Sequence, residues 1–147
     1  MKLSTRFLTD KQQILAHLDV LQELYPSLTI EQYDQELDLM LPHNYSQLAV
    51  YDDQKCIALC GVWIGNKLWI GKYLELDNIV VSAEYRSRGI GELIFNTLSQ
   101  KANEENCNML SLDSYTSNFK AHKFFYNQGY SPKGFHFIKL INEKAVR

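Results

Sequence analysis

The stretch that most restricts what this chain can fold into runs from Tyr73-Leu74-Glu75-Leu76-Asp77-Asn78-Ile79-Val80-Val81 to the stripe Ile90, Leu93, Ile94, Leu98 and Ala102. Between the two lies Arg86-Ser87-Arg88-Gly89-Ile90-Gly91, where apolar spacing changes from a β-type run to helical spacing at a glycine-rich turn. A strand that feeds a helix in this way calls for a layered α/β fold, with helices covering a sheet. Glycines let the backbone approach a ligand closely, several N–H groups converge at the turn, and the helix N-terminus adds partial positive charge. Such a loop suits a diphosphate held mainly by main chain, with Arg86 and Arg88 adding charge. The same pattern also fits a tight turn whose glycines only satisfy backbone geometry. A dinucleotide fingerprint requires a third glycine after two further residues, whereas Glu92, Leu93 and Ile94 come after Gly91 and no βαβ unit precedes it.

The rest of the chain surrounds this passage with elements of both periods. Residues 3 to 8 fit a short strand. Lys11 to Leu24 places Ile14, Leu15, Leu18, Leu21 and Leu24 at helical spacing behind Asp10, a suitable cap. Tyr25-Pro26-Ser27 breaks that helix, and Thr29 to Leu41 forms a second one that Pro42 stops. Leu48–Tyr51 and Cys56–Ile64 read as a hairpin around Asp52–Lys55, Gly65-Asn66-Lys67 as a second turn, and Leu68 to Val81 as containing a long strand. After the glycine loop and its helix come a short strand at Met109–Leu112, a helix over Asn118–Gln128 stopped by Gly129, and a last strand within Gly134–Ile141. No repeat or linker divides the chain, and 147 residues suffice for one domain over residues 1–147.

Residues further along the chain give the loop its meaning. Arg86, Gly89 and Gly91 fill the pattern Gln/Arg-x-x-Gly-x-Gly/Ala, and downstream stand Asn118, Ala121, Phe125-Tyr126 and Gly129-Tyr130. Together with the element order, these residues resemble the GNAT superfamily of N-acetyltransferases over nearly the whole chain. One departure is Ala83, where many members carry proline just ahead of the loop. The resemblance implies a mixed, mostly antiparallel central sheet of about six to seven strands flanked by about four helices. It implies acetyl-CoA as cosubstrate and transfer of the acetyl group to a primary amine by direct attack in a ternary complex. Backbone groups of Ile79, Val80 and Val81 would pair with the pantetheine arm. Arg86, Ser87, Arg88, Gly89, Ile90 and Gly91 would wrap the pyrophosphate, Asn118 would hydrogen-bond the pantetheine, and Tyr126 would sit beside the coenzyme sulfur as general acid.

The chemistry explains these residue types. The attacking amine must be neutral, and the departing thiolate gains from a nearby proton donor, a task that suits a phenol because it keeps its proton at neutral pH. Tyr126 also fits a helix aromatic packed beside Phe124 and Phe125. For the base, alternation places Glu75 and Asp77 on one strand face with Ile79 and Val81. Carboxylates on a strand fit for burial are costly unless used or paired. Glu75 is the first candidate and Asp77 the second; pairing with Lys67 or Lys72, or proton loss to water, remains open. Tyr25, Tyr33, Trp63, Trp69 and Tyr73 are candidate walls for the acceptor, and equally good core residues.

Composition sets the outer limits. A net charge of −2 with no Lys/Arg cluster argues against nucleic acid. No run approaches a membrane span, and no export signal opens the sequence. Cys56, Cys60 and Cys107 are odd in number, and His17, His43, His122 and His136 are scattered, which favours a cytoplasmic chain without a metal site. The absence of an added binding domain leans toward a small-molecule amine. A protein lysine, an N-terminal amine and a non-catalytic acyl-CoA sensor are alternatives. The acyl length, the identity of the acceptor and the existence of a homodimer are left open by the sequence.

Overall fold

A computed structural model describes all 147 residues, which separate into two compact units, Met1–Leu112 and Asp113–Arg147. In the first unit five strands form one sheet in the order β1-β2-β3-β4-β5. They are β1 (Leu3–Leu8), β2 (Tyr45–Asp52), β3 (Lys55–Lys67), β4 (Gly71–Val81) and β5 (Met109–Leu112). The first four make an antiparallel meander, and β5 joins β4 in parallel after a helical crossover.

The sheet is buried on both sides, so β2 carries buried residues in both registers. One face holds Tyr45, Ala49 and Tyr51 of β2, Leu59 of β3 and Val80 of β4, packed with Ile14, Val20, Leu21, Tyr33 and Leu37. These last come from α1 (Lys11–Leu15), α2 (Leu18–Leu21) and α3 (Ile30–Met40). Helix α4 (Ile90–Glu104) packs on β2, β4 and β5 through Ile90, Ile94, Phe95, Leu98 and Ala102, its buried stripe. A mixed sheet between helices is therefore the architecture of this unit.

Local chemistry sets the starts of the helices. The Asp10 carboxylate accepts the Gln13 N–H at 3.0 Å, and Thr29 with Gln32 forms a reciprocal capping box for α3. The single helix expected over Lys11–Leu24 is instead two short ones. Ala16 and His17 open into a turn, and the His17 ring reaches the Tyr51 hydroxyl at 2.8 Å. Gly65-Asn66-Lys67 proves to be strand, and the chain reverses at Leu68-Trp69-Ile70, where Gly71 takes a φ of 76°. Leu68 and Trp69 are exposed at that tip, so their hydrophobicity misled the placement of the turn.

The second unit contains α5 (Phe119–Asn127) and a C-terminal stretch in which residues 131–142 form no helix or strand. The strand expected within Gly134–Ile141 is thus missing, and the sheet has five strands rather than six to seven. Phe135, Phe137, Ile138 and Ile141 are exposed there. Alternating apolar residues specify a face, but a strand also needs a neighbouring chain to complete its hydrogen-bond ladder. No helix is long and apolar enough to cross a membrane.

Candidate active site

The sheet opens where β4 outlasts β5. The two strands pair only from Tyr73↔Met109 to Leu76↔Leu112, so residues 77–81 have β3 on one side and no strand on the other. Backbone amides left open at such an edge are a template for an extended, amide-bearing partner. Ile79, Val80 and Val81 all lie on this edge.

A bulge sits at the same place. Asp77 faces Gly61 and Val80 faces Leu59, so three steps along β4 match two along β3. The extra residue is accommodated at Asn78, which adopts a φ of 50° and donates from Nδ2 to the Tyr25 hydroxyl at 2.8 Å. The bulge overturns the expected alternation. Glu75, Asp77 and Val80 share the face of α1–α3, opposite Trp63, Gly61 and Leu59 respectively, whereas Val81 is turned to the face of α4. Asparagine tolerates the left-handed region, but it is the register against β3 that shows the device.

The aromatic walls divide in the structure. Trp63 is half-buried against Tyr45, with ring centroids 4.8 Å apart, and donates from Nε1 to Asp77 Oδ2 at 3.1 Å. The other Asp77 oxygen accepts the Asn78 N–H at 2.9 Å. Both oxygens of Asp77 therefore brace the bulge and the indole. Glu75 is half-buried and lies between Trp63 on β3 and Ser111 on β5. Tyr33 is a core residue whose hydroxyl accepts from Gln47, and burial pushes its pKa up to about 12. Burial likewise raises Tyr45 well above the usual phenol value, so both hold their protons. Trp69 stands exposed at the hairpin tip, and Tyr73 lies beneath the Lys67 ammonium, 5.0 Å from the ring centre.

Beyond β4, a short 3₁₀ turn at Ala83–Tyr85 leads into the glycine loop. Ser87 and Gly89 both take left-handed conformations, with φ of 59° and 80°. A Cβ added to Gly89 would meet nothing within 4 Å, so the glycine leaves open space directly at the start of α4. The first N–H groups of that helix have no intrahelical acceptor and carry its positive dipole end. Arg86 donates from Nε to the Val81 carbonyl at 3.0 Å and pairs with Glu23 at 3.4 Å; the Arg88 guanidinium lies over Tyr85. No side chain fills the space beside Gly89. Glu23 had no signal in the sequence, because 63 residues separate it from Arg86.

In the second unit Asn118 is the residue before α5, and its side chain makes no capping bond to the helix. Tyr126 lies in the last turn of α5 and is 58% exposed, so it is not packed into a core beside Phe124 and Phe125, which are half-buried. Asp113 pairs with His136, 3.0 Å away in the same unit.

Comparison with known proteins agrees with this geometry. The sequence matches the model of the acetyltransferase (GNAT) family over residues 14–130. It is 28% identical over 136 residues to an uncharacterized N-acetyltransferase, YhdJ, of Bacillus subtilis (strain 168), covering 91% of this chain and 96% of that one. The fold is similar to that of glucosamine-6-phosphate N-acetyltransferase from Arabidopsis thaliana, with a TM-score of 0.76, 18% identity, and coverage of 97% and 100% of the two chains. It also resembles the aminoglycoside N-acetyltransferase AAC(6')-Iy in complex with CoA, with a TM-score of 0.80, 14% identity and 95% of each chain covered. With the family match spanning well over half its length, this chain belongs to the GNAT family of acetyltransferases.

Proposed function

We propose that this enzyme transfers the acetyl group of acetyl-CoA to the primary amine of a small molecule, by direct attack in a ternary complex. The observation that carries the reading is the conjunction of an unpaired edge at residues 77–81 with the open Gly89 loop at the start of α4. An acyl-CoA offers two amides and a diphosphate in one extended molecule, which is the chemistry these two features can receive. Backbone groups of Ile79, Val80 and Val81 take the arm, and Arg86, Ser87, Arg88, Gly89, Ile90 and Gly91 take the pyrophosphate. The similar folds whose names include aminoglycoside and glucosamine-6-phosphate acetyltransferases support a small amine acceptor.

In this reading Glu75 accepts the proton of the incoming ammonium, directly or through one water, and Asp77 is the second candidate. The neutral amine then attacks the thioester carbonyl, the carbon–sulfur bond breaks, and the sulfur leaves as a thiolate that takes a proton from Tyr126, while the new amide nitrogen gives its extra proton to water and Tyr126 is reprotonated from solvent. Asn118 binds the pantetheine in keeping with the family pattern. The whole chain works as one functional domain. Release of free CoA from acetyl-CoA, measured by thiol titration across a panel of amino sugars, diamines, lysine peptides and peptides with a free N-terminus, tests the proposal. Turnover with a small amine is the expected result. Turnover only with peptides moves the acceptor to a protein, and tight acetyl-CoA binding without turnover on any acceptor identifies a sensor.

A further inference from the structure

Arg86 belongs to the loop assigned to the pyrophosphate, yet its guanidinium is already engaged at both ends. Nε donates to the Val81 carbonyl at 3.0 Å, and Nη2 lies 3.4 Å from Glu23 Oε2. The same Glu23 oxygen accepts the Ala83 N–H at 2.9 Å. A single carboxylate oxygen, from the turn after α2, thus gathers a main-chain donor and a cation at the entrance to the loop. It occupies the kind of donors that an incoming phosphate seeks.

We propose that Glu23 is a positioning residue of the coenzyme site, a place-holding anion that keeps Arg86 turned back on the end of β4 until the coenzyme's diphosphate replaces it. The inference rests on the coenzyme reading above. Two features make the exchange feasible. The side chains of Arg86 and Glu23 are 59% and 34% exposed, so their pair is weak and breaks at little cost. A cavity of about 400 Å³, bordered by Glu23, Lys55, Ser82 and Ala83, gives the released carboxylate room to turn. The exchange has a second consequence. When Arg86 leaves Val81, it uncovers a carbonyl on the unpaired edge of β4, where the coenzyme's arm needs an acceptor. Charge recognition at the loop and hydrogen bonding along the strand are thereby joined through one side chain.

The variant Glu23→Gln separates charge from shape, because its side-chain oxygen can still accept the Ala83 N–H. Calorimetric titration with acetyl-CoA and with CoA at low ionic strength should show binding tightened by up to about five-fold, the range of an exposed ion pair. The gain should fade at high salt and vanish when Arg86→Ala is the background, since the competition is for that guanidinium. Unchanged or weaker binding in Glu23→Gln overturns the proposal. So does a gain that survives the loss of Arg86, which would reveal only a general repulsion between Glu23 and the ligand. Wild-type protein that binds no acetyl-CoA overturns the coenzyme reading itself, a result distinct from wild-type binding without the Glu23 effect. Melting temperatures of the variants establish that each titration is done on folded protein.

Discussion

Tyr126 carries the clearest test at the scale of single residues, because its exposure separates two roles. A tyrosine that is 58% exposed contributes little buried contact, so Tyr126→Phe should leave the melting temperature within the small range of surface substitutions. If its hydroxyl protonates the departing thiolate, turnover should fall by roughly 100-fold to 10,000-fold while acetyl-CoA affinity holds. Wild-type turnover in this variant would remove Tyr126 from the mechanism. His17 offers a test of stability instead. Burial lowers its pKa below the usual 6.5, Asp19 opposing, while its ring bonds the Tyr51 hydroxyl. The unfolded chain therefore binds this proton at higher pH than the folded one. The stability that neutral His17 contributes is complete above 6.5 and is lost as pH falls through the lowered folded value. His17→Asn should flatten the decline of melting temperature on acidification from 6.5 down to that lowered value; an unchanged slope would show that other groups set it.

Among the elements, the glycine loop is legible from residue types and the β4 bulge is not. Gly89 has the residue type that close approach to a ligand requires, and the structure gives it open space with a φ of 80°. Gly89→Val both fills that space and forces a branched side chain into the left-handed region, at a cost of about 1–2 kcal/mol. Gly89→Asn fills the space with a residue that tolerates the conformation, so it should melt near the wild type while losing acetyl-CoA affinity in the same titration. Full affinity in Gly89→Asn would confine the glycine to the geometry of the turn. The bulge escapes the sequence because alternation assumes an unbroken pleat. One extra residue at Asn78 changes which side chains join Glu75 and Asp77 on the face of α1–α3, and only pairing with β3 reveals it. The hairpin tip is misplaced by the sequence for a related reason: Leu68, Trp69 and Ile70 are apolar, but the register Lys67↔Gly71 puts them in the turn.

For the whole molecule, ligand linkage gives the broadest check. A ligand that binds only the folded state adds about 2.7 kcal/mol at 100 times its dissociation constant, so acetyl-CoA should raise the melting temperature and NAD should not. A larger shift with NAD would contradict the coenzyme assignment. The sequence by itself determined the period of most long elements, the cap at Asp10, the glycine loop and the family resemblance, because these are carried by residue types and spacings along the chain. Tertiary structure alone decided the separation of β4 from β5 after Leu76, the bulge at Asn78, the engagement of Asp77 by Trp63 and the hold of Glu23 on Arg86. It also decided that the alternating apolar residues of 134–141 form no strand. Each of these rests on partners brought together from distant positions, and a hydrogen bond or ladder exists only when the fold supplies its second half.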